Sequence, residues 1–352
     1  MYNLRQLPAF DNHEFVLALN DQASGLEAFV AIHSTALGPA LGGTRFIHYD
    51  SEEAALDDAL DLSKAMSYKC ALAHLPYGGG KAVIMLKEGA DRQAQLAAYA
   101  RLVDKLKGLF KTGTDVGISD DDVVMMGQHT SHMLGLTEAD RGDLTTSKCA
   151  ALGVFYSMKA CLTSLDGKAD FTGKRIAIKG VGKLGAELAR LVSEAGAQVI
   201  VADINQAAIQ ELQQQLANIT VMPVDHIATQ EVDMYAPCAL GHEFDEQTIA
   251  QLRCRAVVGG ANNQLSNEQS GDALHNQNIL YAPDYVANAG GLIYVADELE
   301  ADGFQQQRVL ERTAAIEHTM TTIFEQAAQQ NQPTYRVADT LAQATIGGAQ
   351  HG

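Results

Sequence analysis

A chain of 352 residues is longer than one ordinary core and fits two domains. Hydrophobic residues make up 47% and charged residues 19%, with 31 glycines against 7 prolines, which excludes disordered, collagen-like and disulfide-framework proteins. Acidic residues outnumber basic ones 43 to 25, and a formal net charge of −18 without a local basic patch argues against nucleic acid or anionic lipid as partner.

Cys70, Cys149, Cys161, Cys238 and Cys254 are odd in number and include no CxxC pair, the pattern of reduced thiols in a reducing compartment. The first residues carry no apolar signal region, and no run approaches the roughly 20 apolar residues that span a bilayer. The sequence therefore reads as cytoplasmic and soluble.

In chain order, Phe15–Leu19 and Leu26–His33 read as strands parted by a turn at Asn20–Gly25. Asp50, with Glu53 three residues on, predicts a capped helix running to about Tyr68. Ala82–Leu86 reads as a strand, and Asp91–Gly108 and Asp120–Leu134 as helices, the second opening on three aspartates at its positive end. Ala150–Leu165 reads as a helix. Strands then alternate with helices: Arg175–Lys179, Gln198–Ala202, Ile219–Met222, Asp233–Tyr235, Ala256–Val258 and Ile279–Tyr281. That rhythm indicates βαβ units and a parallel sheet. From about Phe304 the chain reads as helical to its end.

One fingerprint stands in a confirming context. Gly180-Val181-Gly182-Lys183-Leu184-Gly185 is GxGxxG placed after a strand and opening a helix. Gly180 suits the tight turn, Gly182 close approach of a pyrophosphate, and Gly185 the packing of helix on strand. Asp203, 18 residues beyond Gly185, ends the next strand, where a carboxylate accepts the ribose hydroxyls of NAD and repels the extra phosphate of NADP.

Three further segments are glycine-rich. Gly78-Gly79-Gly80-Lys81 is not a P-loop, because GxxxxGK[ST] would need glycine at Leu75 and a hydroxyl at Ala82. It reads either as a flexible turn with a solvated lysine or as a cleft in which Lys69 clamps an anion and Lys81 has a lowered pKa. Leu41-Gly42-Gly43-Thr44-Arg45 reads as a strand-ending turn or a second polar rim, and Asp115 sits in a loop flanked by Gly113 and Gly117.

Together with Met66–Lys69, Ala236–Gly241, Gly259–Leu265 and Ala282–Gly291, these segments make eight ordered motifs. On them the chain resembles the Glu/Leu/Phe/Val dehydrogenase family, in its leucine and phenylalanine dehydrogenase branch. The resemblance implies an α/β protein of two domains with an active-site cleft between them. Residues 1–140 would form a substrate and oligomerisation domain, 141–330 a Rossmann-type doubly wound NAD domain, and 331–352 a helical tail packing back on the first.

The implied activity is NAD-dependent, reversible oxidative deamination of an apolar L-amino acid to the 2-oxo acid and ammonia, by a homo-oligomer (dimer or octamer). By carry-over, Lys69 holds the substrate carboxylate, assisted by the backbone at Gly42 and Gly43. Lys81 is the general base that activates water, and Asp115 shuttles protons. Leu41, Met66, Gly113, Leu292 and Val295 wall the side-chain pocket, Asn262 or Asn263 orients substrate or nicotinamide, and the stretch Ala236, Cys238, Ala239, Leu240 borders the nicotinamide ribose. Departures from the family pattern are Ala150, where a threonine is usual after a proline two residues earlier at the position of Lys148, and His242, where a second glycine is usual. A catalytically weak NAD- and amino-acid-binding sensor of the same fold is the alternative these departures leave open.

No metal is expected. His129 and His132 are three apart on the helix expected there, but no third ligand accompanies them. Cys238 has no neighbouring base in its motif, and Val123–Met126 reads as helix core.

Overall fold

The computed structural model describes residues 4–87, 89–135, 143–216, 218–239 and 241–350. It separates into two compact units, Met1–Gly142 with Ala342–Gly352, and Asp143–Leu341.

The first unit is an α/β layer. Its strands are β1 (Phe15–Asp21), β2 (Leu26–Ser34), β3 (Ala40–Ile47), β4 (Gly78–Met85) and β5 (Phe110–Gly113), and its helices are α1 (Glu52–Leu72), α2 (Arg92–Lys105) and α3 (Asp120–Gly127). The sheet runs β1-β2-β4-β3-β5, with β2 antiparallel to β1 and β4, and β3 parallel to β4 and β5. Strand alternation sends Val30, Ile32, Ala82 and Ile84 toward Leu96, Tyr99 and Val103 of α2, and Ala31 and Val83 toward Ala55, Leu56 and Leu60 of α1. Lys81 shares its face of β4 with Val83, and so with α1.

The glycines of this sheet lie inside strands, not in turns. A Cβ on Gly79 would come within 2.0 Å of the Ser67 backbone nitrogen in α1, and one on Gly42 within 1.8 Å of the Gly80 carbonyl oxygen. Gly79 therefore permits close contact between helix and strand, and all three glycines are buried. The expectation of a flexible turn carrying a solvated lysine is overturned.

Other local expectations also shift. The cap of α1 is Ser51, whose hydroxyl accepts the Ala54 N–H at 3.1 Å, not Asp50. A serine oxygen at the N-cap reaches the third amide of the helix and takes the role expected of the aspartate. α3 opens on a Ser119–Asp122 capping box and ends at Gly127, well short of Leu134. The residues beyond it fold against β5 instead, with Leu134 N–H donating to the Thr112 carbonyl at 2.8 Å.

The second unit opens on α4 (Thr146–Asp166), which starts four residues earlier than its apolar pattern because the Thr145 hydroxyl caps the Lys148 N–H. Strands and helices then alternate as β6 (Arg175–Lys179), α5 (Lys183–Glu194), β7 (Gln198–Ala202), α6 (Gln206–Gln215), β8 (Ile219–Val221), α7 (Val224–Ile227), β9 (Val232–Pro237), α8 (Glu246–Gln251), β10 (Cys254–Val257), α9 (Glu268–Asn276) and β11 (Leu280–Tyr281). All six strands are parallel in the order β8-β7-β6-β9-β10-β11. The order reverses between β6 and β9, and that switch point is where a doubly wound sheet binds nucleotide.

Helices α10 (Asp284–Ala287), α11 (Gly290–Ala296), α12 (Gln306–Ala314), α13 (Ile316–Gln330) and α14 (Thr334–Gln350) complete the chain. The stretch expected to pack on the first domain from residue 331 does so only from Ala342; up to Leu341 it groups with the second unit. Its early part is held there by side chains such as Thr334, whose hydroxyl donates to the Tyr281 carbonyl at 2.6 Å. The boundary expected near 140 lies outside the described residues. Among the described residues, no helix is long and apolar enough to cross a membrane.

The glycine constraint is measurable. Gly79→Ala should lower unfolding free energy by about 1–3 kcal/mol or more, because its clash is with backbone. Gly347→Ala, in α14 with nothing within 4 Å of its Cβ, should instead raise it by about 0.5–1 kcal/mol. Urea unfolding of both variants checks the contrast.

Candidate active site

Lys81 is only 4% exposed on β4. A buried ammonium without a partner is costly, and here its Nζ donates to Asp115 Oδ2. Asp115 follows β5 in a loop that lies close against β3, because Gly43 has no side chain: a Cβ there would sit 2.7 Å from the Thr114 carbonyl oxygen and 2.9 Å from the Asp115 Cβ. The other oxygen of Asp115 accepts the Val116 N–H at 2.6 Å and Arg45 Nε at 3.1 Å.

Burial pushes the Lys81 amine down, and Asp115 only partly opposes it, so the amine loses its proton below the ordinary lysine value. Burial pushes the Asp115 carboxyl up, but Lys81 and Arg45 outweigh it and hold the group below the usual carboxylate range. The pair therefore combines an ionised carboxylate with an amine whose proton is readily removed, which suits general acid–base work.

Around this pair the first unit gathers most of the other substrate candidates. Leu41, Gly42 and Gly43 lie on β3, with Leu41 beside Gly79 and Gly43 beside Gly113 in the strand registers. Met66 and Lys69 are half-buried on α1, and the Met66 Cγ lies 3.4 Å from where a Gly42 Cβ would be. Leu292 and Val295 belong to the second unit, three apart on α11 and half-buried.

The second unit carries the nucleotide fingerprint as the glycine pattern requires. Gly180 turns with φ +94°, and a Cβ on Gly185 would come within 1.9 Å of the Gly180 carbonyl oxygen, so that glycine is needed for helix-on-strand packing. Gly182, the N-cap of α5, and Lys183 are exposed, with nothing within 4 Å of a Gly182 Cβ. This open helix N-terminus fits a pyrophosphate. Asp203 is tied to the same turn: one oxygen accepts the Val181 N–H at 2.7 Å and the other the Asn205 N–H at 2.7 Å. Each oxygen keeps lone pairs for ribose hydroxyls, so these residues fit a nicotinamide dinucleotide.

Ala236 lies near the end of β9, opposite Ile178 of β6, and the Ala239 nitrogen lies 2.8 Å from where a Gly180 Cβ would be. Leu240 lies outside the described residues. Cys238 is half-buried, and burial pushes its thiol up to about 12, which leaves no reactive thiolate. All five cysteines are free. Asn262 is exposed, and its Oδ1 accepts Asn288 Nδ2 at 2.7 Å; Asn263 adopts φ 50° and its carbonyl accepts the His242 N–H at 2.6 Å. Ala150 and Thr146 both lie near Gly291, 3.6 and 3.3 Å from where its Cβ would be.

Sequence reasoning missed three members of this constellation. Arg45 has a signal: it lies two residues from Gly43, hence on the same strand face. Asp58 and Tyr49, which bind Arg45 and Asp58 respectively, carry none, because their contacts depend on how α1 lies over the sheet. His129 and His132 are not on a helix, since α3 has already ended. Among the described residues no cluster of three or more His, Cys, Asp or Glu could hold a metal ion.

Comparison with known proteins matches residues 13–138 to the family model described as Glu/Leu/Phe/Val dehydrogenase, dimerisation domain. Residues 142–211 and 201–350 match Glutamate/Leucine/Phenylalanine/Valine dehydrogenase. The chain is similar to a phenylalanine dehydrogenase of Bacillus thermotolerans, 43% identical over 95% of this chain and 88% of that one. A leucine dehydrogenase of Bacillus subtilis is 40% identical over 95% and 92%. Among solved structures, an L-tryptophan dehydrogenase from Nostoc punctiforme superposes with a TM-score of 0.86 at 38% identity, covering 97% of this chain and 98% of that one.

The Asp115 pairing has a pH signature. Its folded pKa lies below the unfolded value of 3.8, so its contribution to stability is full above that value and is lost as pH falls through the folded one. Wild type should therefore exceed Asp115→Asn in stability near neutral pH, and the difference should narrow once pH falls below about 4. Urea unfolding of both proteins across that range provides the measurement.

Proposed function

Because the chain belongs to the Glu/Leu/Phe/Val dehydrogenase family, we propose that it catalyses reversible oxidative deamination of a large apolar L-amino acid to its 2-oxo acid and ammonia, with NAD as hydride acceptor. The observation that carries this reading is the buried Lys81 held against the Asp115 carboxylate on a glycine-lined strand. Lys69 and the backbone at Gly42 and Gly43 hold the substrate carboxylate. Asp115 moves protons to and from the amino group. Lys81 takes the proton of the water that attacks the imino acid, the task of an amine with a lowered pKa. The Gly180–Gly185 turn and Asp203 would hold NAD, which would supply the hydride acceptor when bound, and Ala236, Cys238, Ala239 and Asn262 would border it.

A nicotinamide cofactor follows from the family and the Rossmann-type unit; the preference for NAD over NADP rests on Asp203, whose charge opposes a 2′-phosphate. The pocket candidates Leu41, Met66, Gly113, Leu292 and Val295 offer nothing charged to a second carboxylate, whose desolvation would go uncompensated in glutamate. The leucine and phenylalanine dehydrogenases among its relatives support an apolar side chain, with branched-chain substrates placed ahead of phenylalanine. The dimerisation-domain match supports a homo-oligomer built through the first unit.

NADH production with leucine, valine, phenylalanine and glutamate tests the reading, and a preference for glutamate would overturn the pocket assignment. Lys81→Ala should lower kcat by about 10²–10⁴-fold, the usual worth of a general base. Its NAD affinity should stay near that of wild type, because Gly180–Gly185 and Asp203 belong to the other unit. Substituting NADP should lower kcat/KM by at least about tenfold. NAD binding without turnover of any amino acid would instead indicate a sensor.

A further inference from the structure

Five side chains form a continuous polar chain in the first unit. The Tyr49 hydroxyl donates to Asp58 Oδ2 at 2.6 Å, and Arg45 Nη1 donates to both Asp58 oxygens at 3.0 and 3.1 Å. The same guanidinium donates through Nε to Asp115 at 3.1 Å, and Asp115 accepts from Lys81. One planar group thus links α1, β3 and the loop after β5. Its planar fork gives each carboxylate its own nitrogen in a fixed direction, which a single ammonium nitrogen does not.

We propose that Arg45, anchored by Asp58 and Tyr49, is the positioning residue for Asp115, fixing where that carboxylate points and supplying the counter-charge it keeps when Lys81 gives up its proton. The inference rests on the reading of Lys81 and Asp115 as the catalytic pair.

The charge count explains the need. Two cations, Lys81 and Arg45, face two carboxylates, Asp115 and Asp58, so the set is neutral while Lys81 is protonated. When Lys81 becomes the neutral amine, Asp115 retains one counter-charge only because Arg45 is there. Without Arg45, a carboxylate whose side chain is 20% exposed would hold the proton on Lys81 and suppress the base. Asp58 acts in the opposite sense, since it shares the charge of Arg45: Arg45 pushes the Lys81 amine down and Asp58 pushes it up.

The remaining charged groups nearby are already engaged or lie farther along. Arg92 of α2 pairs with Asp122 of α3 at 2.7 Å and donates to the Gly117 carbonyl, two residues beyond Asp115. α1 contributes Asp58 and, eleven residues later, Lys69. A merely structural tie between α1 and β3 would move stability alone. A positioning role predicts shifts of opposite sign on the two sides of Arg45.

The experiment uses the full-length protein labelled with [13Cε]lysine, the Lys81 resonance being identified by its loss in Lys81→Arg. Its titration midpoint, and the acid limb of kcat/KM for the best amino-acid substrate, are measured for wild type, Arg45→Gln, Arg45→Lys and Asp58→Asn. Arg45→Gln should raise both by about one pH unit or more, and Asp58→Asn should lower both. Arg45→Lys, which keeps the charge but loses the bridge, should fall between wild type and Arg45→Gln. Unchanged midpoints, or shifts of the same sign in Arg45→Gln and Asp58→Asn, would overturn the proposal. If Arg45→Gln fails to fold, the sign in Asp58→Asn and the partial shift in Arg45→Lys decide it. If wild type turns over no amino acid, the dehydrogenase reading fails, whereas the NMR midpoints still decide the role of Arg45.

Discussion

The first unit depends on the contact between α1 and a strand whose first three residues have no side chains. Gly79 lets the helix backbone at Ser67 lie directly on β4, while a Cβ on Gly78 would strike the Ser34 carbonyl and one on Gly80 the Phe110 ring. Close approach of this kind buries backbone, so the sheet satisfies its amides through pairing on both sides of β4. It also determines what happens to the next residue. Lys81 emerges where the helix already covers the strand, and its ammonium is almost wholly withdrawn from solvent.

A buried cation at that position needs a compensating carboxylate, and Asp115 is available because Gly43 removes the side chain that would keep its loop away from β3. The two glycine clusters therefore serve one electrostatic end. One places an ammonium out of solvent, and the other admits the carboxylate that makes this tolerable. Desolvation lowers the amine and ion pairing lowers the carboxylate, so packing alone sets both groups for proton transfer. Arg45 gives Asp115 a second cationic partner, so the carboxylate does not depend on Lys81 alone.

The second unit was readable in detail from sequence, because every signal there is local. Strand, turn, glycine spacing and the carboxylate at Asp203 follow one another along the chain, and β6 to β8 appear where apolar runs place them. The first unit was readable as motifs and misread as geometry. Glycine runs resemble turns when seen alone, and only the neighbouring α1 reveals Gly79 as a packing residue. Ser51 displaced Asp50 as the cap by one position, a shift within the range over which two adjacent capping residues compete. Asp58 and Tyr49 had no signal, since their role arises from residues brought together by the sheet. Asn288, visible in a motif, shows its part only as the donor that orients the Asn262 oxygen.

The same residue type answers three different demands in this chain. Gly180 and Gly117 are required by positive φ, which other residues adopt only with strain. Gly42, Gly79 and Gly185 have backbone or neighbouring chain where a side chain would go. Gly182 meets neither condition: its φ is −65° and no protein atom lies within 4 Å of a Cβ there. Nothing within the protein calls for glycine at that position. Gly347 in α14 shares both properties, so the absence of contacts alone requires nothing; what sets Gly182 apart is its place at an exposed helix N-terminus, where a missing side chain leaves the backbone amides of α5 open to an anion such as a pyrophosphate. Gly180 and Gly185 are explained by the turn and by helix-on-strand packing, whereas Gly182 leaves the same turn accessible from outside.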